Sequence, residues 1–344
     1  MKKKKNKVLV IILALLILLS TGCTKYLTDG KKTRVVNETT GQAVTSNILC
    51  LPESKENIKI YKKYKKYLAV DYDKLSKCED YKPSDLKYVG LWDGILIKPL
   101  AWLIIKIGMI VKNYGLSVMI LGIIIRIFLI PSTKKTLKQS ENMKKAQPEL
   151  NRLQKKYENV TSQEERMQMS QEMMMIYKKY DISPAGGCVT SFIQLPIIIA
   201  FYEAINRIPV VFEGHFLGLQ LGTTPFVGIK AGNIGYIVLV LLIIASTYFS
   251  YKNSMAGQTG ATGQEGQMKM MMYTMIVFIS IASLSLPSAL ALYWIVSNLF
   301  MIVQNIFIKK GNKKENIKVV KNKAKTKKIE EKGKSKNNTK KGKK

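Results

Sequence analysis

The chain has 344 residues, 47% of them hydrophobic, and a formal net charge of +32 at pH 7. One His and four Cys in the whole length argue against a soluble enzyme built on histidine or metal chemistry. The apolar residues fall in blocks of about 18 to 22, long enough to cross a bilayer as helices, and the charges lie between the blocks.

Residues 1–22 read as a targeting segment. Lys2 to Lys5 and Lys7 form a basic start, and Val8 to Leu19 is an apolar run too short to span. Ser20-Thr21-Gly22-Cys23 resembles a bacterial lipoprotein cleavage site, which would leave Cys23 as the lipid-modified first residue, carrying palmitate or a similar acyl chain. An uncleaved N-terminal anchor is the alternative. Residues 23–90 then form an extracellular segment rich in Lys and Tyr. Ile60, Tyr64, Tyr67 and Leu68 recur at helical spacing and predict a short amphipathic helix. Cys50 and Cys78 lie in a compartment that permits a disulfide, although two cysteines alone do not fix one. Cys188 reads as a small packing residue.

Residues 91–112 are apolar but carry Lys98, Lys106 and Lys112 within one helical arc of about 120°. The pattern predicts an amphipathic helix lying in the membrane interface, with Trp92 and Trp102 suited to that layer. A spanning helix is the alternative. Residues 113–308 hold five predicted spans, at about 115–133, 188–206, 234–251, 270–286 and 289–308. Between the first two, residues 134–183 split at Glu158–Thr161 into two helical runs, Gln139–Tyr157 and Ser162–Tyr180, expected to pair as an antiparallel hairpin. Thr161 to Glu164 has the form of a capping box for the second run. The hairpin carries eleven Lys and Arg, and residues 309–344 carry 17 Lys against three Glu. Both belong on the cytoplasmic side. The tail has almost no apolar content, so disorder is expected, with RNA phosphate or anionic lipid as its partner. The predicted architecture is an all-α polytopic membrane protein.

Arg126 lies near the middle of the first span. A charge there costs about 2.5–3.5 kcal/mol on insertion scales, so it must face protein or a hydrated cavity. No Asp or Glu lies at a matching depth; Glu203 sits near the outer end of its helix. Thr190 and Gln194 share one helix face. Tyr293, Ser297 and Gln304 form one stripe of the last span, and Trp294, Asn298 and Asn305 the adjacent one. Ser246, Ser250, Ser280 and Ser283 add small polar surface. Such residues often glue membrane helices together. Gathered around an unpaired arginine, they predict a polar groove. Methionines cluster on the hairpin (Met167, Met169, Met173, Met174, Met175) and at the inner end of the fourth span (Met268, Met270, Met271, Met272, Met275). They suit a surface that accepts varied apolar partners, or plain packing.

Ser183-Pro184-Ala185-Gly186-Gly187-Cys188, followed by Gln194-Leu195-Pro196 and Ala200-Phe201-Tyr202, resembles the central motif of the YidC/Oxa/Alb membrane protein insertases. Arg126 with Pro131, Gln147-Pro148-Glu149-Leu150, Lys156-Tyr157 and Leu290–Phe300 agree with the same family. The lipoprotein start and five spans look like its Gram-positive form. The resemblance implies an insertase or chaperone that moves hydrophobic segments of nascent proteins into the cytoplasmic membrane. Arg126 and Gln194 would line its groove, and Tyr293 and Trp294 would touch substrate. The ribosome, docking on the tail, and the Sec translocon would be partners. No cofactor, metal, small-molecule substrate or catalysed reaction is called for. A small-molecule or ion transporter and a lipid-anchored assembly scaffold are the rival readings.

Overall fold

The computed structural model describes residues 24–183, 186–255 and 264–308, with the backbone alone described at 186–193, 253–255, 264–269 and 271–272. The expectations placed on Cys23, Cys188, the side chain of Thr190 and the 309–344 tail lie outside the described residues.

The outer segment folds into a small unit with its own core. Leu27, Val35 and Val44 sit on three short extended stretches and close a ring of backbone hydrogen bonds: Leu27 N to Val44 O, Val44 N to Val35 O, and Val35 N to Leu27 O, at 2.7–2.9 Å. Their side chains join Ile48, Tyr61, Tyr72, Leu75 and Phe212 in one apolar cluster. Helix α1, Lys55–Lys63, starts where the Ser54 side chain accepts from Asn57 N, and it buries Asn57 and Tyr61. The amphipathic helix expected here is shorter, and Ile60, Tyr64 and Leu68 of its expected face pack against this cluster. It ends at Lys63 and gives way to a tighter turn at Lys65–Tyr67. Tyr67 is exposed, whereas Tyr61, not singled out by the spacing, is fully buried. Cys50 and Cys78 are bridged, with Cα atoms 4.9 Å apart.

Helix α2, Lys98–Val111, continues a π-helical turn at Asp93–Ile97. Lys112, at φ 53°, ends it, and the Asn113 side chain caps helix α3, Tyr114–Phe128. The two helices fold back on one another. Gly108 makes the close approach feasible, because a Cβ there would lie 2.3 Å from the Tyr114 ring. Ser117 Oγ donates to the Ile104 carbonyl across the pair. Two lysines of the arc, Lys98 and Lys106, meet residues 79–87, while Lys112 is exposed. Lys98 is buried and donates to the Leu86 and Lys87 carbonyls at 2.8 and 3.0 Å, and Lys106 donates to the Glu79 carbonyl.

The first apolar block does not end in a loop. After Leu129 the chain turns by 61° and enters helix α4, Ile130–Lys156. Pro131 stands in the first turn of α4, where its missing N–H costs nothing. The hairpin's first helix thus begins nine residues before Gln139, the start expected from the sequence. Helix α5, Gln163–Lys179, returns alongside it. Its N-cap is Ser162, which accepts from Glu165 N, so the capping pair is shifted by one residue from Thr161 and Glu164.

Helix α6, Gly186–Arg207, leads through a short helix α7, Pro209–Phe212, and a two-residue hairpin, β1 His215–Phe216 with β2 Leu219–Gln220. Helices α8, Pro225–Lys230, α9, Gly235–Met255, α10, Gln264–Ser285, and α11, Ser288–Ile308, complete the body. Among the described residues three helices are long and apolar enough to cross a membrane: Asp93–Val111, Gly235–Lys252 and Ser288–Ile308. The bent pair of α3 and α4 makes a fourth. The main core joins Ile97 of the π-helical turn, α2 (Ala101, Ile104, Ile105), α3 (Val118, Leu121), α6 (Phe201, Ile205) and α11 (Leu290, Tyr293).

Candidate functional site

The site is built where α3, α6 and α11 meet. Arg126 stands two residues before the end of α3 and is only 8% exposed. Its Nε donates to Ser297 Oγ on α11. No carboxylate of the described residues forms a salt bridge with it. One turn earlier on the same helix, Gly122 lets the Tyr293 ring lie against the α3 backbone; a Cβ there would be 2.8 Å from the ring. The Tyr293 ring also stacks on Phe201 of α6, with centroids 4.2 Å apart. Gln194 of α6 donates through Nε2 to the Tyr293 hydroxyl at 3.1 Å. Arg126, Ser297, Tyr293 and Gln194 therefore form one polar group among apolar helices, with a guanidinium held by a neutral partner.

The two stripes of α11 have different fates. Tyr293 and Ser297 face Arg126 and Gln194. Trp294 and Asn298 turn to α9 instead: Trp294 Nε1 donates to Thr247 Oγ1 at 3.3 Å, and Asn298 Nδ2 reaches Thr247 Oγ1 at 3.0 Å and Ser246 Oγ at 3.4 Å. These bonds tie α11 to α9 through the stripe that lies next to Tyr293 and Ser297. Gln304 is buried near the C-terminal end of α11, with Nε2 unsatisfied. Ser246, Ser280 and Ser283 bond back to carbonyls of their own helices.

A second buried polar cluster, missed in the sequence, lies at the C-terminal end of α6. Asp93, before α2, pairs with Arg207 Nη1 and lies 3.6 Å from Lys98 Nζ. Arg207 Nε also donates to the Asn47 carbonyl at 2.8 Å. Glu203, one turn back, accepts from Trp92 Nε1 at 3.2 Å. All four charged side chains are buried. Asp93 and Arg207 are 114 residues apart, so no local pattern announces them.

On the hairpin, Ala146 and Leu150 of α4 pack with Ile182, Met173, Ile176 and Tyr177. Two matching clasps tie its ends. Glu149 accepts from Lys179 and from the Tyr180 hydroxyl, and Glu172 accepts from Lys156 and the Tyr157 hydroxyl. These donors hold both carboxyls below the ordinary carboxylate range. Met173 joins the packing, while Met167, Met174 and Met175 are exposed.

The model of the 60Kd inner membrane protein family matches residues 106–316, more than half of the chain. The chain belongs to this family. A relative from Alkalihalophilus pseudofirmus, named membrane protein insertase YidC, is 35% identical over 229 residues, covering 66% of this chain and 85% of that one. A Bacillus subtilis relative named membrane protein insertase MisCA is 35% identical over 244 residues, covering 70% and 88%. A solved structure described as an active YidC insertase with its first transmembrane domain resolved aligns with a TM-score of 0.47 at 26% identity, over 62% of this chain and 46% of that one. The family match contains Arg126, Gln194, Tyr293 and Ser297. It leaves the outer unit and the first part of α2 outside.

Proposed function

We propose that this chain is a membrane protein insertase of the cytoplasmic membrane, with five spans formed by α3, α6, α9, α10 and α11. In this reading Cys23 is the lipid anchor, the outer unit is extracellular, and α2 lies in the outer interface. The α4–α5 hairpin and the basic tail are cytoplasmic. The exposed methionines of α5 catch an emerging apolar segment, since flexible thioethers accept many shapes. The segment then enters the polar site, where Arg126 offers a transient counter-charge to an acidic or polar residue of its outer part. The substrate finishes by sliding into lipid, driven by its own hydrophobicity. The tail assists ribosome docking, with the Sec translocon as an additional partner for some substrates.

The observation that carries this reading is the buried guanidinium of Arg126, held by Ser297 and bridged to no acid. A structural arginine in a membrane is normally paired with an acid or with backbone carbonyls. One left positive beside Tyr293 and Gln194 has its charge available to a visiting group. The test is insertion of a single-span substrate with an acidic outer tail into vesicles holding the full chain. Arg126→Lys is expected to keep part of the activity. Arg126→Ala is expected to lose about 10- to 100-fold, the rate equivalent of leaving a buried charge uncompensated. Full activity of Arg126→Ala would sink the counter-charge mechanism. Rescue of an insertase-depleted bacterium, with and without residues 309–344, tests the tail.

A further inference from the structure

Helix α1 carries a basic face that nothing in the described structure neutralises. Asn57 and Tyr61 point it into the outer core. At 100° per residue, Lys55, Lys59, Lys62 and Lys63 fall on the opposite side, and all four are exposed. Lys66, in the turn that follows, is exposed as well. The other lysines nearby have acids: Lys65 pairs with Asp73, Lys74 with Asp71 and Lys77 with Glu79. Among the described residues none of the five has a carboxylate in salt-bridge range. The one acid inside α1, Glu56, instead accepts from the Thr39 hydroxyl. The rings of Tyr64 and Tyr67 lie under Lys63 and Lys66, at 5.2 and 4.9 Å from the ammonium nitrogens. The result is a row of cations about 15 Å long on a rigid helix, with its near-neighbour acids committed elsewhere.

We infer that this lysine face receives the acidic outer tail of an inserting substrate. The inference rests on the insertase reading and extends it from the groove to the outer surface. Charge complementarity selects the occupant. Arg126 favours substrates with acid in their outer part, and the same acids, once across, meet a row of unpaired ammonium groups. An extended chain rises about 3.3 Å per residue, so four or five tail residues match the row. Holding the translocated tail would hinder its return, and the attraction would weaken as salt screens it.

The experiment compares two single-span substrates that differ only in the outer tail, one rich in Asp and Glu and one in Asn and Gln. Tail translocation is read by protease protection in vesicles of mixed lipid holding the full chain. The variant exchanges Lys55, Lys59, Lys62 and Lys63 for Glu. The control exchanges Lys74 and Lys77, which already have acids. The variant is expected to lower acidic-tail translocation about tenfold or more at low salt, the scale on which steering charges act. The neutral tail and the control are expected to be unchanged. A carbodiimide, which couples ammonium to carboxylate, is expected to link the acidic tail to α1 in the parent protein. Equal losses for both tails, no loss for either, or no link would overturn the inference. So would an effect confined to vesicles with anionic lipid, which would assign the face to head groups. If the parent protein inserts neither substrate, the insertase reading itself fails. If it inserts both and the variant matches it, only the lysine face fails.

Discussion

At the scale of single residues, the position of Arg126 depends on its neighbours as much as on its own charge. Tyr293 lies against the α3 backbone and stacks on Phe201, and its hydroxyl accepts from Gln194. Gly122→Ala would place a methyl group 2.8 Å from a ring that is already stacked on Phe201. Overpacking of this kind costs about 1–3 kcal/mol. Gly122→Ala is therefore expected to lower both the melting temperature in detergent and insertion activity. Adding Tyr293→Leu is expected to recover stability by freeing space, without recovering insertion, because the Gln194 bond and the ring beside Arg126 are lost. A double variant that regains activity would show that Tyr293 only packs. Arg126 as a charge without an acid near it was legible in the sequence, since an isolated charge in an apolar run stands out; that α3 ends two residues beyond it was not. Nor was the division of α11. Adjacent stripes on a helix differ by one residue, and only the placement of α9 decides that Trp294 and Asn298 bond to it.

Among the elements, the hairpin shows where pattern succeeds and where it stops. Its two helices and their antiparallel pairing follow from charge and spacing. The first helix also runs through Pro148, and its start at Ile130 escaped notice because Pro131 reads as a stop but serves as a first-turn residue. The clasps of Glu149 and Glu172 predict a pH response. Both carboxyls titrate below their ordinary value of 4.5, held there first by Lys179 and Lys156 and then by Tyr180 and Tyr157. A depressed acid adds stability that is fully present above the unfolded value and is lost as pH falls through the folded one. The hairpin is thus expected to keep its pairing at neutral pH and to loosen below about pH 4. Distances between spin labels on the outer faces of α4 and α5 read this directly. Glu149→Gln with Glu172→Gln is expected to widen the distribution already at pH 7 and to remove its dependence on acid. An unchanged distribution at low pH would leave the apolar contacts of Ala146, Leu150 and Ile182 as the sole tie.

For the whole molecule, the consequential feature is the join between the outer unit and the helical body. The sequence presents residues 24–90 as a polar insert, and in composition they are one. Their integration was hidden because many of its contacts, such as Ser54 with Glu213 and Asn47 with Arg207, pair residues more than a hundred positions apart. Leu49, Cys50, Cys78 and Tyr81 belong to the same core as α2, α3 and α6. Glu213, after α7, accepts from Ser54 N and from Asn57 Nδ2 at the start of α1. Lys98 and Arg207 draw on carbonyls of Leu86, Lys87 and Asn47. Deleting residues 24–86 would leave those cations short of acceptors inside the protein and open an apolar face. The deletion is expected to lower the melting temperature of the detergent-solubilised chain and to expose α2 to protease. Asp93→Asn tests the same join without removing any backbone. Taking one member from a buried ion pair costs about 3–5 kcal/mol, because Arg207 then stays buried without its counter-charge. Exchanging Cys50 and Cys78 for Ser should add about 3–4 kcal/mol of loss by freeing the closed loop in the unfolded state. If the deletion leaves melting and protease resistance unchanged, the outer unit is an appendage and the Asp93–Arg207 pair sustains itself. If all three variants destabilise the body, the outer unit is part of the fold that holds α2 against α3, and through α3 it fixes the depth of Arg126.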